Sequence, residues 1–126
     1  MNQQLLDAIR NNECDQIPGL IAAGANINST DPPFRPRTPL NHAVRTSPEM
    51  TRTLLEQGAD PNLYDSLQET ALYTAINVGN LETVQVLLEF GADKELPDGS
   101  GLKPTRWARS LRQRSPVQKE IWNILK

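Results

Sequence analysis

Cysteine is almost missing from this chain: Cys14 is the only one among 126 residues. A lone thiol forms no internal disulfide and supplies neither a zinc site nor a paired redox motif, and it suits a reducing compartment. Long apolar runs are missing too. None approaches the ~20 residues needed to cross a bilayer, and Met1-Asn2-Gln3-Gln4-Leu5-Leu6-Asp7 lacks the basic stretch followed by an apolar core that marks a secretory leader. The expectation is a soluble, cytoplasmic protein without a membrane partner.

Groupings that carry catalysis are equally scarce. Gly99-Ser100-Gly101 lacks the lysine of a phosphate-cradling loop. Asp and Glu are spread along the chain with no acid–base pair, and Ser47 and Ser66 stand at turn or cap positions rather than on a nucleophile elbow. The single histidine, His42, has no second metal ligand or nucleophile at a recognisable spacing, so a partly buried structural role is expected for it. No enzymatic activity, cofactor or metal is expected.

What the chain does have is a period. Gly24-Ala25-Asn26-Ile27-Asn28 returns as Gly58-Ala59-Asp60-Pro61-Asn62 and as Gly91-Ala92-Asp93-Lys94-Glu95, at spacings of 34 and 33 residues. Each follows an apolar pair: Leu20-Ile21, Leu54-Leu55 and Leu87-Leu88. A second marker runs in phase, as Thr38-Pro39-Leu40-Asn41-His42-Ala43, Thr70-Ala71-Leu72-Tyr73-Thr74-Ala75 and Lys103-Pro104-Thr105-Arg106-Trp107-Ala108, at spacings of 32 and 33. Two independent markers at one period define a repeat protein.

Each unit reads as two short helices. Thr70 is a good N-cap for the first, and Val78-Gly79-Asn80 breaks the run before Leu81. Leu81, Val84, Leu87 and Leu88 then form one apolar face that stops at Gly91, read as a left-handed terminator. Such a pair of helices closes no core alone and must bury its faces against neighbouring units. In the first unit Pro18-Gly19 predicts a displaced or irregular second helix; in the next, Pro48 restarts one. In the last, Ser115-Pro116 opens a helix with Val117, Ile121, Trp122 and Leu125 as its inward stripe, and both Trp107 and Trp122 are expected to fill core.

These residues resemble the ankyrin repeat, whose unit is a turn, a helix opened by Thr-Pro-Leu-His-x-Ala, a second helix ending Leu-Leu, and Gly-Ala-Asp-x-Asn. The match is strongest over 70–91 and extends over nearly the whole chain. It implies an all-α ankyrin-repeat solenoid of stacked helix-turn-helix units with projecting turn fingers. The boundaries read as a cap over 1–30, repeats over 31–62 and 63–95, and a cap over 96–126. The family's histidine is absent from every unit, replaced by Asn41, Tyr73 and Arg106, so bonding between repeats must differ there.

The resemblance further implies a non-catalytic module, monomeric alone, that grips a folded protein through its fingers and first helices. Carried over position by position, the contact residues are Phe34, Arg35, Arg37, Arg45 and Thr46, then Ser66, Leu67, Glu69, Asn77 and Val78, then Leu102, Ser110 and Leu111. An adaptor or inhibitor role is the leading expectation; a bacterial or phage immunity-type or effector-type protein is a narrower one. The first finger is two residues longer than the others and contains Asp31-Pro32-Pro33-Phe34-Arg35-Pro36-Arg37. That composition reads in two ways: a pre-ordered binding loop with an aromatic and arginines, or a stiffened connection with Phe34 folded onto the adjacent helix.

Charge is divided unevenly. Residues 1–93 carry 5 basic and 12 acidic side chains, a balance of −7, whereas 94–126 carry 8 basic and 3 acidic, a balance of +5. The basic cap is a candidate for phosphates, but with both tryptophans assigned to the core it lacks a stacking face. A solvated surface that prevents end-to-end stacking is the favoured reading, and nucleic acid is not the expected partner.

Overall fold

The computed structural model describes residues 1–126 and contains helices, turns and no strand. Four first helices, α1 (Asn2–Arg10), α3 (Pro39–Val44), α5 (Ala71–Val78) and α7 (Pro104–Leu111), stack in one row. The second helices, α4 (Pro48–Glu56), α6 (Leu81–Glu89) and α8 (Pro116–Leu125), form the other. In the first unit the predicted irregularity is a 3₁₀ turn, Cys14–Gln16, running into α2 (Ile17–Ala22). Pro18 lies in the opening turn of α2, where its missing N–H costs nothing, and the 3₁₀ turn contacts α4.

Local chemistry sets the helix ends. Thr38, Ser47, Thr70, Asn80 and Ser115 each accept, through a side-chain oxygen, a backbone N–H three residues on. The Gly-Ala pairs close the second helices. The Gly91 N–H donates to the Leu88 carbonyl at 3.1 Å and the Ala92 N–H to the Leu87 carbonyl at 3.0 Å, with Gly91 at φ +93°. Residues 54–59 repeat the pattern, and Ala59 buries its methyl group against the end of the helix. A glycine followed by a small apolar residue is what this six-to-one, five-to-two closure requires.

The final asparagine of the motif works between repeats. Asn28 Oδ1 accepts the Asp60 N–H at 2.9 Å, and Asn62 Oδ1 accepts the Asp93 N–H at 2.7 Å. Asn62 also donates from Nδ2 to the Gly91 carbonyl at 3.2 Å. Each side chain thereby fixes the start of the next turn. Asn62→Ala is expected to cost about 1 kcal/mol, read as a lowered midpoint in urea titration; an unchanged midpoint would mean water replaces both bonds without loss.

One continuous core runs through the stack, from Leu5, Leu6 and Ile9 through Leu40, Met50 and Leu54 to Leu72, Ile76, Leu87, Ile121 and Leu125. Three expectations shift in detail. On α6, which packs against α4, α5 and α8, Leu87 is fully buried but Leu88 only half-buried, so the covered side of the helix is the one that carries Val84 and Leu87. On α8, Val117 faces outward at 41% exposure while Gln118 points in, donating from Nε2 to the Ile76 carbonyl at 3.0 Å. A polar residue occupies the inward place because α5 ends there and leaves a carbonyl without a helical donor. Trp107 and Trp122 pack against the core from its margin and are half-buried, not enclosed.

Candidate protein-binding surface

The three fingers are joined to each other by backbone bonds. The Ser66 N–H donates to the Pro36 carbonyl at 2.8 Å, and the Gly99 N–H to the Gln68 carbonyl at 3.0 Å. At the second junction the approach is so close that a Cβ on Gly99 would lie 2.7 Å from Gln68 Cβ. Glycine at 99 is thus demanded by contact with the neighbouring finger.

An aspartate organises each of the last two fingers. Asp65 Oδ1 accepts the N–H groups of Leu67 and Glu69 at 2.9 and 3.0 Å, turning Leu67 outward to 52% exposure. Asp98 Oδ1 accepts the Ser100 N–H at 2.9 Å, the Ser100 hydroxyl at 2.6 Å and the Leu102 N–H at 2.9 Å. The Ser100 hydroxyl, followed by these backbone donors, holds Asp98 below the usual carboxylate range. Asp65 also receives Asn41 Nδ2 at 3.0 Å on its second oxygen, a buried link between repeats made by the residue that replaces the family's histidine. The next replacement, Tyr73, stacks on Trp107 with ring centroids 5.8 Å apart. Side-chain polarity and ring stacking therefore take over the bonding that the missing histidines would supply.

The first finger is organised from inside. Phe34 is completely buried within the core, its ring 6.2 Å from that of His42. His42 Nε2 lies 2.8 Å from the Phe34 carbonyl, and since a carbonyl only accepts, that nitrogen carries the proton. Burial lowers the His42 pKa below the ordinary imidazole value against the raising effect of that carbonyl; Arg10, Arg37 and Arg45 push the same way as burial. His42, in the place of an aliphatic residue, is the tether of the long finger.

This corrects two of the contact residues. Phe34 is the plug that folds the longer finger back onto the helices, so its ring offers nothing to a ligand. Leu111 is 3% exposed in the core between α7 and α8 and is likewise withdrawn from the surface. Arg35, Arg45, Ser66, Leu67, Asn77, Val78 and Ser110 are exposed; Arg37, Thr46, Glu69 and Leu102 are half-buried. Ser110 lines a cleft at the α7–α8 end with Arg106, Arg109 and Trp122.

The fold gathers some of these residues and adds one. Arg37, Arg45 and Glu69 lie within electrostatic reach of one another: burial, then the Asp65 carboxylate, raises the Glu69 pKa, and Arg37 and Arg45 oppose that rise. Arg10 joins Arg37 and Arg45 around His42. Its sequence signal was available, because Arg10 stands two residues after Ala8 as Arg45 does after Ala43 and Asn77 after Ala75. Thus four of the five basic residues of the acidic half, Arg10, Arg35, Arg37 and Arg45, belong to α1, the first finger and the end of α3.

Comparison with known proteins agrees with this architecture. The family described as Ankyrin repeats (3 copies) matches residues 5–98. The chain belongs to the ankyrin-repeat family, a class of protein–protein interaction modules that is typically non-catalytic. Similar proteins include ankyrin repeat protein R664 of Acanthamoeba polyphaga mimivirus, 33% identical over 106 residues, 78% of this chain and 65% of that protein. Ankyrin repeat domain-containing protein 63 of Mus musculus is 46% identical over 77 residues, 57% of this chain and 20% of its own length. The ARF GTPase-activating protein Git of Drosophila melanogaster is 40% identical over 73 residues, 56% of this chain and 10% of that protein. The chain thus spans less than two thirds of each of these relatives. No helix is long and apolar enough to cross a membrane.

Proposed function

We propose that this chain binds a folded protein partner, without catalysis, through its fingers and first-helix row. The observation that carries the reading is the pairing of two exposed apolar side chains with a rigid polar frame. Leu67 and Val78 are 52% and 51% exposed on the second full repeat, and the backbone beneath Leu67 is held by Asp65 and by bonds to both neighbouring fingers. Apolar groups on a pre-ordered surface lose little entropy on docking and gain from desolvation. Arg35, Arg37 and Arg45 stand on the adjoining repeat and supply charge at the rim of the same surface. In this reading the protein acts in the cytoplasm, as an adaptor or as an inhibitor that covers a partner's surface; an immunity-type or effector-type role is the narrower form.

Leu67→Glu combined with Val78→Glu tests it. Both sites are exposed, so the thermal midpoint is expected to stay within about 2 °C, while proteins retained by the immobilised wild-type chain from its native cell extract are lost or weakened at least tenfold. Retention of the same proteins by the double variant would move the binding surface to another face.

A further inference from the structure

We propose that a groove at the C-terminal end of the solenoid binds single-stranded nucleic acid. Two clefts, of about 560 and 810 Å³, open beside α7 and α8 and share Arg112 and Trp122. They therefore adjoin. Arg106 and Arg109 line the first, and Arg114, Lys119 and Lys126 the second. No carboxylate side chain lines either one, and Glu120, the only acidic residue on these helices, stands outside both. The ion pairs of the protein are Arg52–Glu89 and Lys103–Glu95, so none of the six groove cations is neutralised internally. Their mutual repulsion is relieved by a ligand that brings a row of negative charge.

Two further features select the kind of polyanion. Trp122 is half-buried, packed on the core yet lining both clefts, which sets an aromatic side chain among guanidinium groups. That combination accepts a base by stacking while arginines on either side meet phosphates. Apart from the Pro116 ring, the remainder of the lining is polar, with groups such as Thr105, Ser110, Gln113 and Asn123. An acidic protein segment would find only the Trp122 and Pro116 rings as apolar contacts here, and protein interfaces depend on larger desolvated anchors; a polynucleotide needs only cations and a ring to stack on. The groove is distinct from the fingers that carry the protein-binding reading, and the two stand or fall separately.

The test is fluorescence anisotropy of the whole chain with fluorescein-labelled 20-nucleotide oligo-dT and oligo-U, with a 20-residue oligo-glutamate peptide as competitor. Binding of at least one oligonucleotide at 50 mM salt, weakening roughly 50-fold by 200 mM as about four phosphates are neutralised, is the expected result. Arg109→Glu with Arg114→Glu, one exposed residue from each cleft, should abolish it without lowering the thermal midpoint. Trp122→Leu should weaken oligonucleotides severalfold but leave inorganic polyphosphate, which has no bases, unaffected. If Trp122→Leu does not fold, quenching of Trp122 emission by the oligonucleotide in a Trp107→Phe background reads the same stacking. The proposal is overturned by absence of binding at 50 mM salt, by binding that survives the double charge reversal, by equal competition from oligo-glutamate, or by Trp122 emission that does not respond. Leu67→Glu with Val78→Glu should bind oligonucleotide as the wild type does, which separates failure of the groove from failure of the finger surface.

Discussion

Phe34→Ala should destabilise the protein by about 3–5 kcal/mol, one of the two largest losses expected from any single side chain. The ring has no exposed surface, and its removal leaves a cavity beneath the finger. The Phe34 carbonyl receives His42 Nε2, so collapse of the finger to fill the space would strain or break that bond. Neither adjustment is free, which places the cost toward the range seen for buried aromatics rather than for truncated surface residues. On heating, the midpoint should fall by on the order of 10–20 °C. Arg35→Ala, next in sequence but exposed, should change stability by less than about 0.5 kcal/mol, so any part the finger plays in binding is read with that variant. If Phe34→Ala melted like wild type, the finger would not be anchored through its aromatic ring, and the lengthened turn would again be a candidate binding loop.

Leu87→Ala is expected to cost about 2–5 kcal/mol, and Leu88→Ala roughly half as much, in proportion to the apolar area each removes from water. The two are adjacent and chemically identical, so the difference isolates their surroundings. Leu87 is fully buried on α6, which packs between α4 and α8, whereas Leu88 lies partly at the surface. Because each unit is stabilised mainly by its neighbours, loss at Leu87 weakens the seams on both sides of the second full repeat. Denaturant titration of the two variants decides the point. Equal midpoints, or a larger shift for Leu88→Ala, would mean that α6 is rotated so that Leu88 shares the core with Leu87.

The pattern of residues was enough for the architecture because it records requirements that are local. A helix stop needs glycine and then a small apolar residue, as in Gly58-Ala59 and Gly91-Ala92, whatever surrounds it. A helix start needs a hydroxyl or amide at Thr38, Ser47, Thr70, Asn80 and Ser115. The period in Leu-Leu pairs follows from stacking identical units, so the solenoid, its helix pairs and its fingers were all legible. So was the apolar exposure of Leu67 and Val78, since their repeat positions are those of an open face.

The rest depends on which way a side chain turns once neighbours are in place. Phe34 has the composition of a binding residue beside Arg35 and Arg37, yet its ring is buried in the common core and its carbonyl meets the imidazole of His42, eight residues on. Val117 and Gln118 differ by one step along α8; the free carbonyl of Ile76 on a different helix is what turns the amide inward and leaves the valine in water. Arg10 is 35 residues from Arg45, yet α1 packs on α3 and brings both to His42. Trp122 satisfied a core pattern and still lines a groove of arginines, because a large ring at the end of a stack is covered from one side only. By itself the sequence determined the repeat, its period and its helix ends, which are encoded within a few neighbouring residues. Tertiary structure alone decided what is buried and what is offered to a ligand, because that depends on groups brought together from different repeats.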